Sequence, residues 1–364
     1  MSGLLRLSLD DLINGAIDRL AHPWTPDPDP PLAVIELEAG RLPSDELTRI
    51  TDRLARSELV TIGVWRNPVV PPPHHLREAL GHLSVTLSAY PHSGRECMVG
   101  EVDTGIEHLV AAHEQHPRAF RILDTTLRLA SSLPVAEALL AESFAYATLL
   151  AGGEHHAWLA ATAATRPPAP TSVAQSVQIR RASDHLFVTL DRTERRNAFG
   201  AQLRHEFVGA LELADADPSI KRIIVDGKGS CFCAGGDLGE FGSTRDQARS
   251  HLIRTTGGPA RLIHFMASRC EFRLHGACVG AGIELAALAG TVIARDDATF
   301  RLPELAMGLI PGAGGTAGVT ARIGRWRAFG MCATGRRIDC ATALHWGLVD
   351  RVLSRDEFAR LSDG

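Results

Sequence analysis

Three short segments of this 364-residue chain place a carboxylate among small residues, where main chain and acid could approach a ligand together. Gly235-Gly236-Asp237 follows an expected strand, and glycines there let the backbone come close to a bound group. Gly280-Ala281-Gly282-Ile283-Glu284 opens a helix-forming run, so free N–H groups would favour negative charge there. Phe300-Arg301-Leu302-Pro303-Glu304 leads through Gly308-Leu309-Ile310-Pro311 into Gly312-Ala313-Gly314-Gly315-Thr316. Taken singly, each has a plain structural reading. Asp237 would cap the next helix, Glu284 would sit favourably in a first helical turn, and Glu304 would be a solvated loop acid. The order of all three is what points to chemistry. Gly312 to Thr316 lacks the Lys-Ser/Thr ending of a phosphate loop and reads as a tight structural loop.

C-A-G-G-D-L, then G-A-C-V-G-A-G-I-E-L-A, then F-R-L-P-E-L-A-M-G-L-I-P-G-A-G-G-T resembles the enoyl-CoA hydratase/isomerase (crotonase) superfamily over about half the chain, residues 178–352. The resemblance implies an α/β fold, a crotonase-like ββα superhelix, in the C-terminal half. It also implies an acyl-CoA thioester substrate and no cofactor other than the coenzyme A that the substrate carries. The N–H groups of Ala234 and Ala281 would form an oxyanion hole, with Gly235, Gly236, Gly280 and Gly282 supporting its loops. Such donors are fixed before reaction and are worth about 3–4 kcal/mol each in other enzymes. Ala281 stands where many relatives have Gly. Glu284 and Glu304 fall on the positions of the catalytic carboxylates, with water activation assigned to Glu284 and α-carbon protonation to Glu304. In T-E-R-R-N-A-F, the basic residue beside Asn-Ala lies near the coenzyme A phosphates, which carries over to Arg196, with Arg195 as its alternative. Homo-oligomers, trimers or hexamers, are the family's habit.

The elements that must position these groups divide at residues 161–176, an Ala-, Pro-, Thr- and Ser-rich stretch read as a semi-stiff linker. It separates an α/β, helix-rich domain over 1–160 from the crotonase-like domain over 177–364, each expected to bury its own core. Beyond the linker, 177–180 and 186–190 read as paired strands turned at Ser183-Asp184, followed by a helix over 201–214 and a strand over 222–226. The first half opens similarly, with a strand from Leu32, a helix over 44–55 capped by Ser44 and a strand over 59–65, so it is a candidate degenerate crotonase-like half. Residues 119–159 read as two helices divided at Leu133-Pro134. Crotonase-type chains usually continue past G-L-V-D-x-V with helices that close the acyl site. Here only a short tail follows Val352, whereas L-P-V-A-E-A-L-L-A-E-S-F-A-Y-A-T-L-L-A-G-G-E in the first half resembles those terminal segments. A rearranged layout follows, in which the first half supplies the cover in cis or to a neighbouring subunit.

Thirty-eight basic against 42 acidic residues give a formal charge of −4, too balanced for a nucleic-acid footprint. No apolar run reaches membrane-spanning length and the N-terminus has no signal layout, so a cytoplasmic protein without a membrane partner is expected. Seven cysteines without a C-x-x-C pair argue against a disulfide framework or zinc, and no metal site is read from His74-His75 after the proline run. Cys231, Cys233 and His275 read as packed residues. The leading function is hydration of a 2-enoyl-CoA or its reverse. The alternatives are an enoyl-CoA isomerase, a cofactor-independent arylacetyl-CoA dioxygenase that meets the enolate with O₂, and a subunit that binds acyl-CoA without turnover.

Overall fold

The computed structural model describes residues 4–20, 31–38, 40, 42–91, 94–168, 175–244 and 246–361. Residues 169–174 of the expected linker lie outside them. Strands β1 (Leu4–Leu7), β2 (Leu32–Glu36), β3 (Thr61–Trp65), β4 (Val85–Ser88) and β5 (Cys97–Val99) form a parallel sheet in chain order. Side chains alternate across it. Ala33 and Ile35 face a small core with α1 (Leu9–Ile13), α2 (Ala16–Leu20), α3 (Ser44–Arg56) and α4 (Arg77–His82). Leu32, Val34, Ile62, Val64, Val85 and Leu87 face the other way. The residue preceding α3 is Pro43, with no side-chain cap, so Ser44 is the first helical residue and not the cap.

Residues 102–162 form α5 (Val102–Gln115), α6 (Pro117–Ala130), α7 (Val135–Leu150) and α8 (Gly153–Thr162), the last three of them over the 119–159 stretch where two helices were expected. Pro134 does set the start of α7, since its fixed φ suits the residue before a helix. The extra break falls at Gly152, before Gly153-Glu154-His155-His156 opens α8. No single described helix is long and apolar enough to cross a membrane.

In the second half β6 (Val177–Ala182) pairs antiparallel with β7 (His185–Leu190), turning at Ser183, whose φ is 54°. From β7 the sheet adds β8 (Arg222–Gly227), β9 (Cys270–Leu274), β11 (Thr291–Arg295) and β14 (Arg351–Leu353), all parallel. A second small sheet holds β10 (Ala277–Val279), β12 (Thr299–Arg301) and β13 (Ile338–Asp339). Between these run α9 (Ala201–Ala216), α10 (Gln247–Thr256), α11 (Pro259–Phe265), α12 (Ala281–Glu284), α13 (Gly315–Ile323), α14 (Arg325–Thr334), α15 (Cys340–Trp346) and α16 (Arg355–Arg360). The chain thus winds through strands and helices as expected, staying in the first sheet through β9 and alternating between the two sheets from β10 to β12.

Beyond the small core of α1 to α4, the two halves share a single larger one. One continuous cluster takes Val34, Leu87, Phe120 and Leu149 from the first half and Val188, Phe272, Leu288 and Phe329 from the second. Phe120 meets Phe329 edge to face at 5.2 Å. Apolar residues of α5 to α7 join one cluster with a face of their own sheet and with the second half, so packing crosses the division expected at 161–176. Arg166 within it donates to the Phe241 carbonyl at 2.7 Å.

Candidate active site

β8 runs out into Cys231 to Asp237, and β10 runs out into Gly280 and α12. The two exits lie side by side, because Val279 N–H donates to the Cys233 carbonyl at 3.0 Å and Cys233 bridges Cys278. Glycine is required at this approach. A Cβ on Gly282 would stand 2.9 Å from Cys233 Cβ, and one on Gly280, whose φ is +50°, would stand 2.6 Å from Glu304 Oε1.

One expected oxyanion donor is corrected. Ala234 N–H donates to the Arg196 carbonyl at 3.0 Å and Ala234 does not line the cavity. The chain then turns at Gly235, whose φ of +100° only glycine adopts readily, and Phe199 takes the main-chain groups on either side: its N–H donates to the Gly235 carbonyl and its carbonyl accepts from Asp237 N–H. Gly236 N–H is left over. Gly236 and Ala281 both line the cavity, and among the described residues neither N–H has a hydrogen-bond partner. Gly236, read as loop support, is therefore the donor-bearing residue beside Ala281.

Glu284 and Glu304 meet in this cavity of about 230 Å³. Glu284 is buried, and its Oε2 accepts from Ala313 N–H at 2.7 Å and Gly315 N–H at 3.0 Å. Burial, then repulsion from Glu304 and Glu142, pushes its carboxyl well above the usual range, while those two amides pull it back. Burial likewise pushes Glu304 up to about 8, and its Oε2 is buried without a partner. Burial thus favours the protonated form of both acids, and of the two only Glu284 accepts from neighbouring amides that favour its charged form.

A third acid was not singled out from sequence. Glu142, from the middle of α7, is 2% exposed. Its Oε1 accepts from Gly314 N–H at 2.7 Å, and its Oε2 from Thr316 N–H at 2.8 Å and Thr316 Oγ1 at 2.7 Å. Consecutive amides of one loop thus go alternately to two acids, 313 and 315 to Glu284 from the second half, 314 and 316 to Glu142 from the first. Burial pushes Glu142 up to about 7 against the pull of its three donors. The apolar spacing of α7 gave no sign of this, because a lone Glu in a helix usually faces solvent; a buried first turn of α13 built of Gly and Thr was the only available hint.

α7 also closes the cavity, with Leu139, Leu140, Ser143 and Tyr146 lining it opposite Ala281. The expected cover therefore comes from the same chain. A Cβ on Gly312 would collide with the Tyr146 ring, so helix and loop are fitted to each other. α10 and α11 complete the wall with Arg254, Pro259 and Ala260.

Of the basic pair, Arg195 donates to Asp237 at 3.3 Å and to the Pro168 carbonyl at 2.9 Å, whereas Arg196 is exposed with no side-chain partner among the described residues. Asp237 is not a helix cap: it is buried and also pairs with Arg192 at 2.9 Å, and α10 is capped instead by Asp246. Asn197, unremarked in the sequence, is buried with φ 53° and donates to the Lys228, Cys231 and Phe232 carbonyls, fixing the loop ahead of Gly235. His275 is buried beside the Gly229 carbonyl, and burial pushes the Cys233 thiol up to about 12, so both are packed residues as expected.

A family model described as enoyl-CoA hydratase/isomerase matches residues 182–362. A probable enoyl-CoA hydratase of Mycobacterium leprae is 34% identical over 172 residues, 47% of this chain and 65% of that relative. The 2,3-dehydroadipyl-CoA hydratase of Escherichia coli is 34% identical over 183 residues, 49% of this chain and 69% of the relative. Among solved structures, an enoyl-CoA hydratase from Thermoplasma volcanium is 28% identical with a TM-score of 0.48, covering 52% of this chain and 77% of that one. These matches span about half of this chain and from 65% to 77% of each relative.

Proposed function

Because this chain belongs to the enoyl-CoA hydratase/isomerase family, we propose that it hydrates a 2-enoyl-CoA, or dehydrates the corresponding 3-hydroxyacyl-CoA, with no cofactor beyond the coenzyme A of its substrate. The observation that carries this reading is the convergence of two unpartnered amides and two buried acids in one cavity. The thioester oxygen accepts from Gly236 N–H and Ala281 N–H, so charge growing there in an enolate meets donors already in place. Glu284, held charged by Ala313 and Gly315, takes a proton from water as its oxygen bonds to the β-carbon. Glu304, protonated at neutral pH, gives its proton to the α-carbon. The pair ends with its proton on the other acid, and exchange with solvent restores it.

Arg196, exposed and unpaired, suits the coenzyme A phosphates; Arg195, tied to Asp237, acts as an anchor. The reading includes a homo-oligomer, a trimer or hexamer, supported by exposed apolar side chains on and beside the cover, Leu140, Phe144, Leu252 and Phe265, the last 62% exposed. It places the enzyme in the cytoplasm, where acyl-CoA is met. Isomerisation or oxygenation would use the same enolate, but neither needs a second acid poised to take a proton from water.

The test follows loss of enoyl absorbance for a panel of 2-enoyl thioesters, with oxygen consumption and double-bond migration recorded in parallel. Hydration by the wild type, lost in Glu284→Gln and Glu304→Gln, is expected. Oxygen uptake, migration alone, or tight binding without turnover would each overturn the reading in favour of one named alternative.

A further inference from the structure

The hydration chemistry leaves three arginines of the cavity wall without a task, and one of them, Arg261, lies over the Phe265 ring. Arg204 on α9 and Arg254 on α10 line both the acyl cavity and the larger one of about 660 Å³ that adjoins it, so they stand at the neck between the two. Arg254 is half-buried. Its Nε donates to Ser143 Oγ at 3.1 Å, a terminal nitrogen donates to the Ser143 carbonyl at 3.3 Å, and its guanidinium lies 4.6 Å from the Tyr146 ring centre. Those contacts hold the group in place and neutralise nothing. The Arg204 side chain makes no hydrogen bond or ion pair among the described residues.

The acids around the neck are already engaged. Glu142 spends both oxygens on Gly314 and Thr316, Asp237 pairs with Arg192 and Arg195, and Glu240 accepts from Ala201 N–H at 2.8 Å. Burial pulls Arg254 below its ordinary pKa, Tyr146 and Glu142 act against that and the Arg204 charge adds to it. Neither arginine forms an ion pair among the described residues, and cations partly withdrawn from water without a direct counter-ion are costly unless a ligand brings one.

We propose that Arg204 and Arg254 bind an anionic group at the far end of the acyl chain, which makes the substrate class an enoyl-CoA that carries a terminal carboxylate. This inference rests on the hydratase reading for its double bond and not for its anion. The acyl end is favoured over the coenzyme A diphosphate by placement: both arginines line the same cavity as Glu284 and Glu304, which meet the first acyl carbons, whereas the diphosphate is separated from the thioester by the whole pantetheine arm. The same cavity is also lined by Leu139, Phe199 and Phe241, apolar side chains of the kind a methylene chain would need.

The experiment measures calorimetric binding of two saturated six-carbon thioesters, one ending in methyl and one in carboxylate, and of free coenzyme A. The full chain, Arg204→Gln, Arg254→Gln and the double variant are compared, with folding checked by circular dichroism. Wild type is expected to prefer the carboxylate thioester about tenfold or more, each single variant to lose some of that ratio and the double variant all of it, with free coenzyme A affinity changed less than about twofold. Added potassium chloride should erode the wild-type ratio, which keeps the test alive should the double variant not fold. Equal weakening of both thioesters and of free coenzyme A would assign the arginines to the diphosphate, and no wild-type preference would end the proposal. Neither measurement needs turnover, so an inactive enzyme that prefers the carboxylate would sink the hydratase reading alone, and an active one without preference would sink this proposal alone.

Discussion

Replacing Glu142 by Gln separates the orienting role of this residue from its bulk. The side chain keeps its length, but one carboxylate oxygen becomes an NH₂ group that must face either Gly314 N–H or the two donors of Thr316, all of them within 2.8 Å of the present oxygens. At least one charge-assisted hydrogen bond is lost, about 1.5–3 kcal/mol, and the loop must shift to relieve the clash of donor against donor. Because Ala313 and Gly315 in that loop hold Glu284, the loss should fall on orientation at the transition state. We expect kcat to drop about 10- to 100-fold, equivalent to about 1.4–2.8 kcal/mol, with KM changed less than about threefold. The pH profile adds a signature that mere loosening would not give. The Glu142 charge raises both Glu284 and Glu304, so its removal lowers them. Activity that requires protonated Glu304 is lost as pH rises through that group's pKa, about 8 in the wild type, and the alkaline limb of Glu142→Gln should therefore move toward lower pH. Stopped-flow hydration from pH 5 to 9 decides the matter. A variant with wild-type kcat, or one with reduced kcat and an unmoved limb, would refute the orienting role.

Ala281→Pro removes one oxyanion donor at a first helical position where proline is tolerated, and kcat should fall about 10²- to 10³-fold while thermal unfolding changes little. Arg196→Ala should raise KM for acyl-CoA thioesters several-fold at constant kcat, measured by steady-state kinetics. Glu142 and Glu304 both have carboxyls raised by burial, to about 7 and about 8, so the stability they contribute is fully present below the ordinary glutamate range and is lost as pH rises through those values. The Glu142→Gln/Glu304→Gln variant, which lacks both titrations, should accordingly gain in Tm relative to wild type between pH 5 and 8, and a constant difference would contradict the assignment. Deleting residues 1–170 exposes the apolar wall of α13 and α14 and should yield an insoluble or inactive fragment; full activity in a soluble fragment would show that the cover is dispensable.

Sequence made the second half legible because its chemistry is carried by glycines, whose backbone demands are local. Gly235, Gly280 and Gly282 sit where their conformation or close packing requires. The same locality misled at Ala234: which of several neighbouring amides stays free depends on Phe199, a residue from another turn that takes the groups flanking Gly236. Glu142 was hidden for a related reason, since its partners lie 172 and 174 positions away and α7 shows only apolar periodicity. Terminal-segment resemblance found the cover without finding its anchor. That the larger core spans both halves was not legible, because apolar residues on both faces of β2 and β3 show that both are buried but not what buries them.

The braid of amides 313 to 316 ties the aim of one acid to the seating of another, since the loop that holds Glu284 is itself held by Glu142 on α7. A disturbance of that helix therefore reaches Glu284 without touching it.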